Sequence, residues 1–138
     1  MLAKQKVIET CFVALEEKIN SLKIILHELE DGSQNDSKSS AGDKHETARA
    51  MMQIEQEKIS RQISELLNQK SELEKGGTLL KTNKGFLFLS VALGKVLVDG
   101  NAVMIISPSS PLGIKLHGKK IGDSVEINNI VYLIEAAE

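Results

Sequence analysis

Asp43 and Glu46 are the residues of this chain whose type and spacing are best suited to chemistry. They are two carboxylates three positions apart in the segment Ala41-Gly42-Asp43-Lys44-His45-Glu46-Thr47-Ala48. If a helix starts there, positions i and i+3 share a face, and two hard oxygen donors at an exposed tip form a candidate metal site. The same spacing also has a purely local reading. Asp at an N-cap with Glu at the third helical position is a variant capping box that satisfies backbone N–H groups of the first turn.

His45, between the acids, is open to a reading as a base, but a lone tip histidine is more often a solvated helix-start residue. His27 and His117 stand far apart in sequence, and with Cys11 they show no zinc-ligand spacing. Cys11 is the single cysteine, so it forms no internal disulfide; it reads as a small buried hydrophobe in a reducing compartment. Met51 and Met52, close to the acids, read as packing residues.

The elements that must position the acids are helical. Ile8, Phe12, Leu15, Ile19, Leu22, Leu26 and Leu29 alternate spacings of four and three, an apolar seam that another helix has to cover. A second seam runs through Met52, Ile59, Ile63, Leu66 and Leu73, with Gln56 and Lys70 at positions the same register would make apolar. Gly32 to Ser40 contains no apolar residue and is rich in turn formers, so it reads as a reversal. The simplest closure is an antiparallel coiled-coil hairpin in which Leu15 and Leu22 bury against the second helix. With 1.5 Å of rise per residue, helices of roughly 30 residues project about 45 Å.

Gly76-Gly77 stops the second helix, and beyond it the period changes. Short Val-, Ile- and Leu-rich runs follow at 85–89, 95–98, 102–106, 124–127 and 130–134. Asp99-Gly100 and Asn128-Asn129 sit where hairpin turns are needed, and these residues tolerate positive φ. An antiparallel sheet is expected, with one or two helical turns between Leu112 and His117 to cover a face.

The totals narrow the function classes. At 138 residues the chain holds a hairpin plus a domain of about 60 residues. Residues 1–76 carry 11 Lys/Arg against 14 Asp/Glu, and residues 77–138 carry 6 against 5. Neither half is a basic nucleic-acid surface, and 3% aromatic residues supply few stacking platforms for single strands. No apolar run approaches the length of a membrane span and no signal peptide precedes the first helix, so a cytoplasmic protein is expected.

Ser110-Pro111-Leu112, Leu116-His117-Gly118-Lys119 and Gly122-Asp123-Ser124-Val125 together resemble the C-terminal domain of the Gre-family transcript cleavage factors of bacteria. The order of parts, the switch near residue 76 and the length agree over essentially the whole chain. The resemblance implies an α+β protein: a coiled-coil hairpin over 1–76 with its tip at about 32–46, then an FKBP-like antiparallel β domain over 77–138 that docks on RNA polymerase. In that family the hairpin enters the polymerase secondary channel, and a Gly-Asp-x-x-Glu tip brings two acids to the active centre; Gly42-Asp43-Lys44-His45-Glu46 matches it. Asp43 and Glu46 would then be the catalytic and metal-binding residues of an accessory factor that is no enzyme alone. They would hold Mg²⁺ jointly with the polymerase and stimulate cleavage of backtracked RNA, which the chain meets only through the polymerase. No membrane is implied, and self-association of the free form is left open. The family pattern continues with a third acid and an aromatic where this chain has Arg49 and Ala50. The alternatives are a channel-binding regulator without cleavage activity, a coiled-coil scaffold, and an FKBP-like isomerase or chaperone, for whose pocket the second half offers Phe86, Phe88 and Tyr132.

Overall fold

In a computed structural model that describes residues 1–36 and 43–138, with side chains described for 1–31 and 46–138, the chain is α+β. Two long helices, α1 (Lys4–Asp36) and α2 (Asp43–Glu74), precede a six-stranded sheet that carries one short helix. Straight-chain residues dominate both helices and proline is absent until Pro108, which leaves nothing to break them.

α1 runs four residues beyond Gly32, into the stretch expected to reverse the chain. Of the expected tip at 32–46, residues 32–36 end α1 and 43–46 open α2, while 37–42 lies outside the described residues. Gly, Ser and Asn cost at most about 1 kcal/mol each in a helix, and extending an existing helix avoids the cost of nucleation.

Ile19, Ile59 and Ile63 form a buried cluster between the two helices, flanked by half-buried Leu22, Leu26, Leu29 and Leu66. The expected second seam holds. Met52, Gln56 and Lys70 are half-buried on the stripe that Ile59, Ile63 and Leu73 bury. The first seam needs correction at both ends. Leu22 is only half-buried, and at the start of α1 the fully covered residues are Val7 and Cys11, while Ile8 and Phe12 are half-buried. Met1–Ala14 and Gln69–Glu138 form one compact unit, and Leu15–Asn68 forms another. The covered face of α1 is therefore set by the sheet-bearing unit over its first turns and by α2 afterwards.

Gly76, at φ +85°, ends the helical segment, and its N–H donates to the Leu73 carbonyl. The sheet that follows has the order β3-β4-β2-β1-β6-β5. Its strands are β1 (Thr78–Thr82), β2 (Gly85–Leu89), β3 (Gly94–Val98), β4 (Asn101–Ile106), β5 (Ser124–Ile127) and β6 (Ile130–Ala137), with α3 (Pro111–Leu116) between β4 and β5. Both expected hairpin turns are present, with positive φ at Asp99, Gly100, Asn128 and Asn129, the signature of type I′ turns.

The expectation of a wholly antiparallel sheet is corrected, because β2 and β4 pair in parallel. The chain leaves β2, forms β3 at the sheet edge and returns through the Asp99-Gly100 turn. β4 thereby inserts between β3 and β2 and runs in the direction of β2. β1 was not anticipated at all, although it lies near the middle of the sheet. Thr82 closes the turn after it, donating from Oγ1 to the Gly85 carbonyl at 2.8 Å and accepting from the Lys84 N–H at 3.1 Å.

One face of the sheet buries Leu80, Leu87, Val125 and Ile134 against Leu116 of α3. In the alternate set of residues, Leu79, Phe88 and Ile105 stand in register across β1, β2 and β4, each at most 1% exposed. Cys11 belongs to this unit and is fully buried; desolvation pushes its thiol up to about 11. The unfolded thiol ionises near 9.0 and the folded one only near 11, so stability should fall as pH rises through that window. Urea titrations of wild type and Cys11→Ala between those pH values test this, with the alkaline loss expected to be smaller in the variant.

Candidate functional site

The structure places Asp43 as the first residue of α2 and Glu46 three positions later, with the Glu46 side chain exposed. Gly42 lies outside the described residues, as do the side chains of Asp43, Lys44 and His45. The capping box expected on Asp43 and Glu46 rests on Gly42 and on the Asp43 side chain, both outside the described residues. Asp43 and Glu46 occupy helix positions of one face, and Arg49 and Ala50, both exposed, follow one turn further along it.

The electrostatics of this position are two-sided. The positive end of the helix macrodipole favours ionised carboxylates in the first turn. The same field opposes a cation there, and Arg49 places a further positive charge three positions beyond Glu46. Among the described residues no group of three or more His, Cys, Asp or Glu side chains is arranged to hold a metal ion. His27 is exposed on α1, where its Nε2 lies 3.4 Å from Asp31.

The motif residues of the second half have local structural tasks. Ser110 caps α3: its Oγ donates to the Ser107 carbonyl at 2.6 Å and accepts from the Gly113 N–H at 3.1 Å, and Pro111 takes the first turn, where no N–H is needed. Asp123 closes the loop before β5, accepting from the Lys120 N–H at 2.8 Å, while the Gly122 N–H reaches the Ile134 carbonyl at 2.8 Å. Gly113 was not singled out in the sequence, yet it admits no side chain. A Cβ there would penetrate the Ser107 carbonyl oxygen and lie 2.9 Å from both the Pro108 carbonyl and Ser110 Oγ. Gly113→Ala is expected to cost at least about 1–3 kcal/mol through forced displacement of the capping loop. Denaturant melts check this; a loss below about 0.5 kcal/mol, the range of neutral surface changes, would contradict it.

Next to α3 the sheet holds a groove of about 340 Å³ lined by Lys84, Phe86, Leu87, Lys95, Met104, Ile106, Leu112 and Tyr132, among others. Phe86 and Tyr132 are thus brought together, whereas Phe88 is fully buried in the core and unavailable to the groove. The sequence reading missed Lys84, Lys95, Met104 and Leu112. The available signal was the alternation in β4, which sets Met104 and Ile106 on the face opposite Val103 and Ile105.

No helix among the described residues is long and apolar enough to cross a membrane. Comparison with protein-family models, with curated proteins and with solved structures finds no match to this chain.

Proposed function

We propose that this protein is a Gre-like elongation factor that inserts a helical arm into the secondary channel of RNA polymerase and stimulates cleavage of backtracked RNA. The observation that carries the reading is the position of Asp43 and Glu46 in the opening turn of α2, a 32-residue helix whose cluster with α1 lies further along at Ile59 and Ile63. Two long helices sharing an apolar seam suit an antiparallel coiled-coil hairpin over 1–76, and the sheet with α3 suits an FKBP-like docking domain over 77–138.

The donor set fits a shared ion. Carboxylates are the hard oxygen ligands that Mg²⁺ prefers, and the exposed Glu46 is accessible to a partner. The opposing helix field and the small ligand number explain why the chain alone would not retain the ion. When bound, Mg²⁺ would stabilise attacking and leaving oxygens in phosphoryl transfer, with the polymerase supplying the other ligands. Asp43 and Glu46 would hold and orient the hydrated ion, and the chain would contribute half of an active site without being an enzyme itself. On this reading the protein works in the cytoplasm, beside the polymerase.

A second reading shares the dock and the arm but omits the chemistry. Arg49 and Ala50 stand where the family pattern has an acid and an aromatic, which favours a factor that occupies the channel without stimulating cleavage.

Co-elution of the full chain with core RNA polymerase in size-exclusion chromatography tests the shared part of both readings. A complex that a second channel-binding factor displaces is expected. Failure to form any complex would overturn both and leave the scaffold and FKBP-like chaperone readings.

A further inference from the structure

We propose that the groove beside α3 binds a short peptide segment of a protein partner, one that joins a carboxylate to a large apolar side chain. This goes beyond the channel-factor reading and does not rest on it.

The register defines the surface. Lys95 of β3 pairs with Met104 of β4, which pairs with Leu87 of β2, so the three side chains stand in one row on the face that also buries Leu80. α3 covers only part of that face: Leu112 and Leu116 pack on the cluster of Leu80, Leu87 and Ile134. Beyond them Met104 remains 45% exposed and Leu97 65%. An apolar floor of Leu87, Met104, Ile106 and Leu112 with aromatic edges at Phe86 and Tyr132 takes an aliphatic or aromatic group.

Charge decides what accompanies that group. Lys84 and Lys95 line the groove and, among the described residues, no acidic one does. Neither ammonium has an acidic partner among the described residues. Two uncompensated cations beside an apolar floor complement a carboxylate held next to a hydrophobic side chain.

The strand edge selects a peptide over other apolar anions. β3 is the terminal strand of the sheet and pairs only with β4 among the described residues, which leaves one row of its backbone N–H and C=O groups open alongside Lys95. A peptide can use those groups by strand addition, whereas a fatty acid cannot. The groove volume of about 340 Å³ also lies at the low end for ligand sites, which suits two or three side chains better than a long acyl chain.

The probe is a short, end-capped, fluorescein-labelled peptide with Glu-Leu and Glu-Phe pairs separated by serines, titrated into the full chain and read by anisotropy and by amide shifts. One control replaces Leu and Phe by Ser, and the other replaces Glu by Lys. The acidic-apolar peptide is expected to saturate the protein and shift the amides of Lys95, Met104 and Leu112, with both controls about tenfold weaker or more. Lys84→Glu with Lys95→Glu should weaken the acidic-apolar peptide about tenfold and improve the lysine-bearing one, since exposed ion pairs contribute modestly and reversal adds repulsion. Both lysines are exposed, so the melting curve of that variant should stay close to wild type. The proposal is overturned if the serine control binds equally well, if the charge-reversed variant keeps wild-type affinity, if the shifted amides lie elsewhere, if laurate binds where the peptide does not, or if no probe binds.

Discussion

Asp43→Asn and Glu46→Gln are each expected to remove most stimulated transcript cleavage while leaving polymerase binding intact. An amide keeps the size of the carboxylate but loses the charge that retains a cation, and a site of two protein donors has little affinity to spare. Position on the helix makes the loss larger, because the first turn of α2 and Arg49 both oppose a cation and only the two acids offset them. Raised Mg²⁺ should partly restore cleavage, as mass action compensates for a weakened site. The capping reading predicts a different pattern: about 0.5 to 2 kcal/mol of stability lost when a cap is replaced by Ala, less for Asn, and no selective catalytic defect. Melting curves together with binding and cleavage assays on the same variants separate the two.

Phe88→Ala is expected to cost about 3–5 kcal/mol, which is a large share of the 5–15 kcal/mol typical of a whole domain. Phe88 is fully buried on β2, a strand flanked by β1 and β4, where it pairs with Leu79 on one side and Ile105 on the other. Its ring also occupies the space above Gly77, where an added Cβ would lie 2.9 Å from Phe88 Cζ. Two buried neighbours from separate strands, Leu79 and Ile105, are held by the sheet and cannot both collapse into the void, so the cavity term should approach its full value. Urea denaturation measures it, and a loss under about 1 kcal/mol would mean that the row Leu79, Phe88, Ile105 is not close-packed.

What the sequence made legible was local. The type I′ turns at Asp99-Gly100 and Asn128-Asn129 follow from residues that accept positive φ, and the α2 stripe follows from spacing alone. α3 was anticipated within a residue at each end from the break between Pro108 and Pro111 and the length of the stretch after it, and the structure adds that Ser110 caps it and Pro111 opens it. The misses are matters of long-range pairing. Thr78-Leu79-Leu80-Lys81-Thr82 has only two apolar residues and follows directly on a helix stop, and its place between β2 and β6 is fixed only by both neighbours. The parallel pairing of β2 with β4 depends on where β3 lands, which no local signal encodes. Val7 and Cys11 displaced Ile8 and Phe12 because the first turns of α1 belong to the sheet-bearing unit, a partner the heptad reading did not include. The candidate acids were legible as a motif, whereas the groove was not, since Lys84, Lys95, Met104 and Leu112 come from the β1–β2 turn, β3, β4 and α3.

The most direct measurement is cleavage by stalled, backtracked elongation complexes incubated with the full chain and Mg²⁺. The channel-factor proposal predicts shortened nascent transcripts that appear with wild-type protein and are lost with Asp43→Asn or Glu46→Gln. Bound factor with unchanged transcripts at every Mg²⁺ concentration would contradict it, and would make Arg49 and Ala50 the natural reason that the protein only occupies the channel.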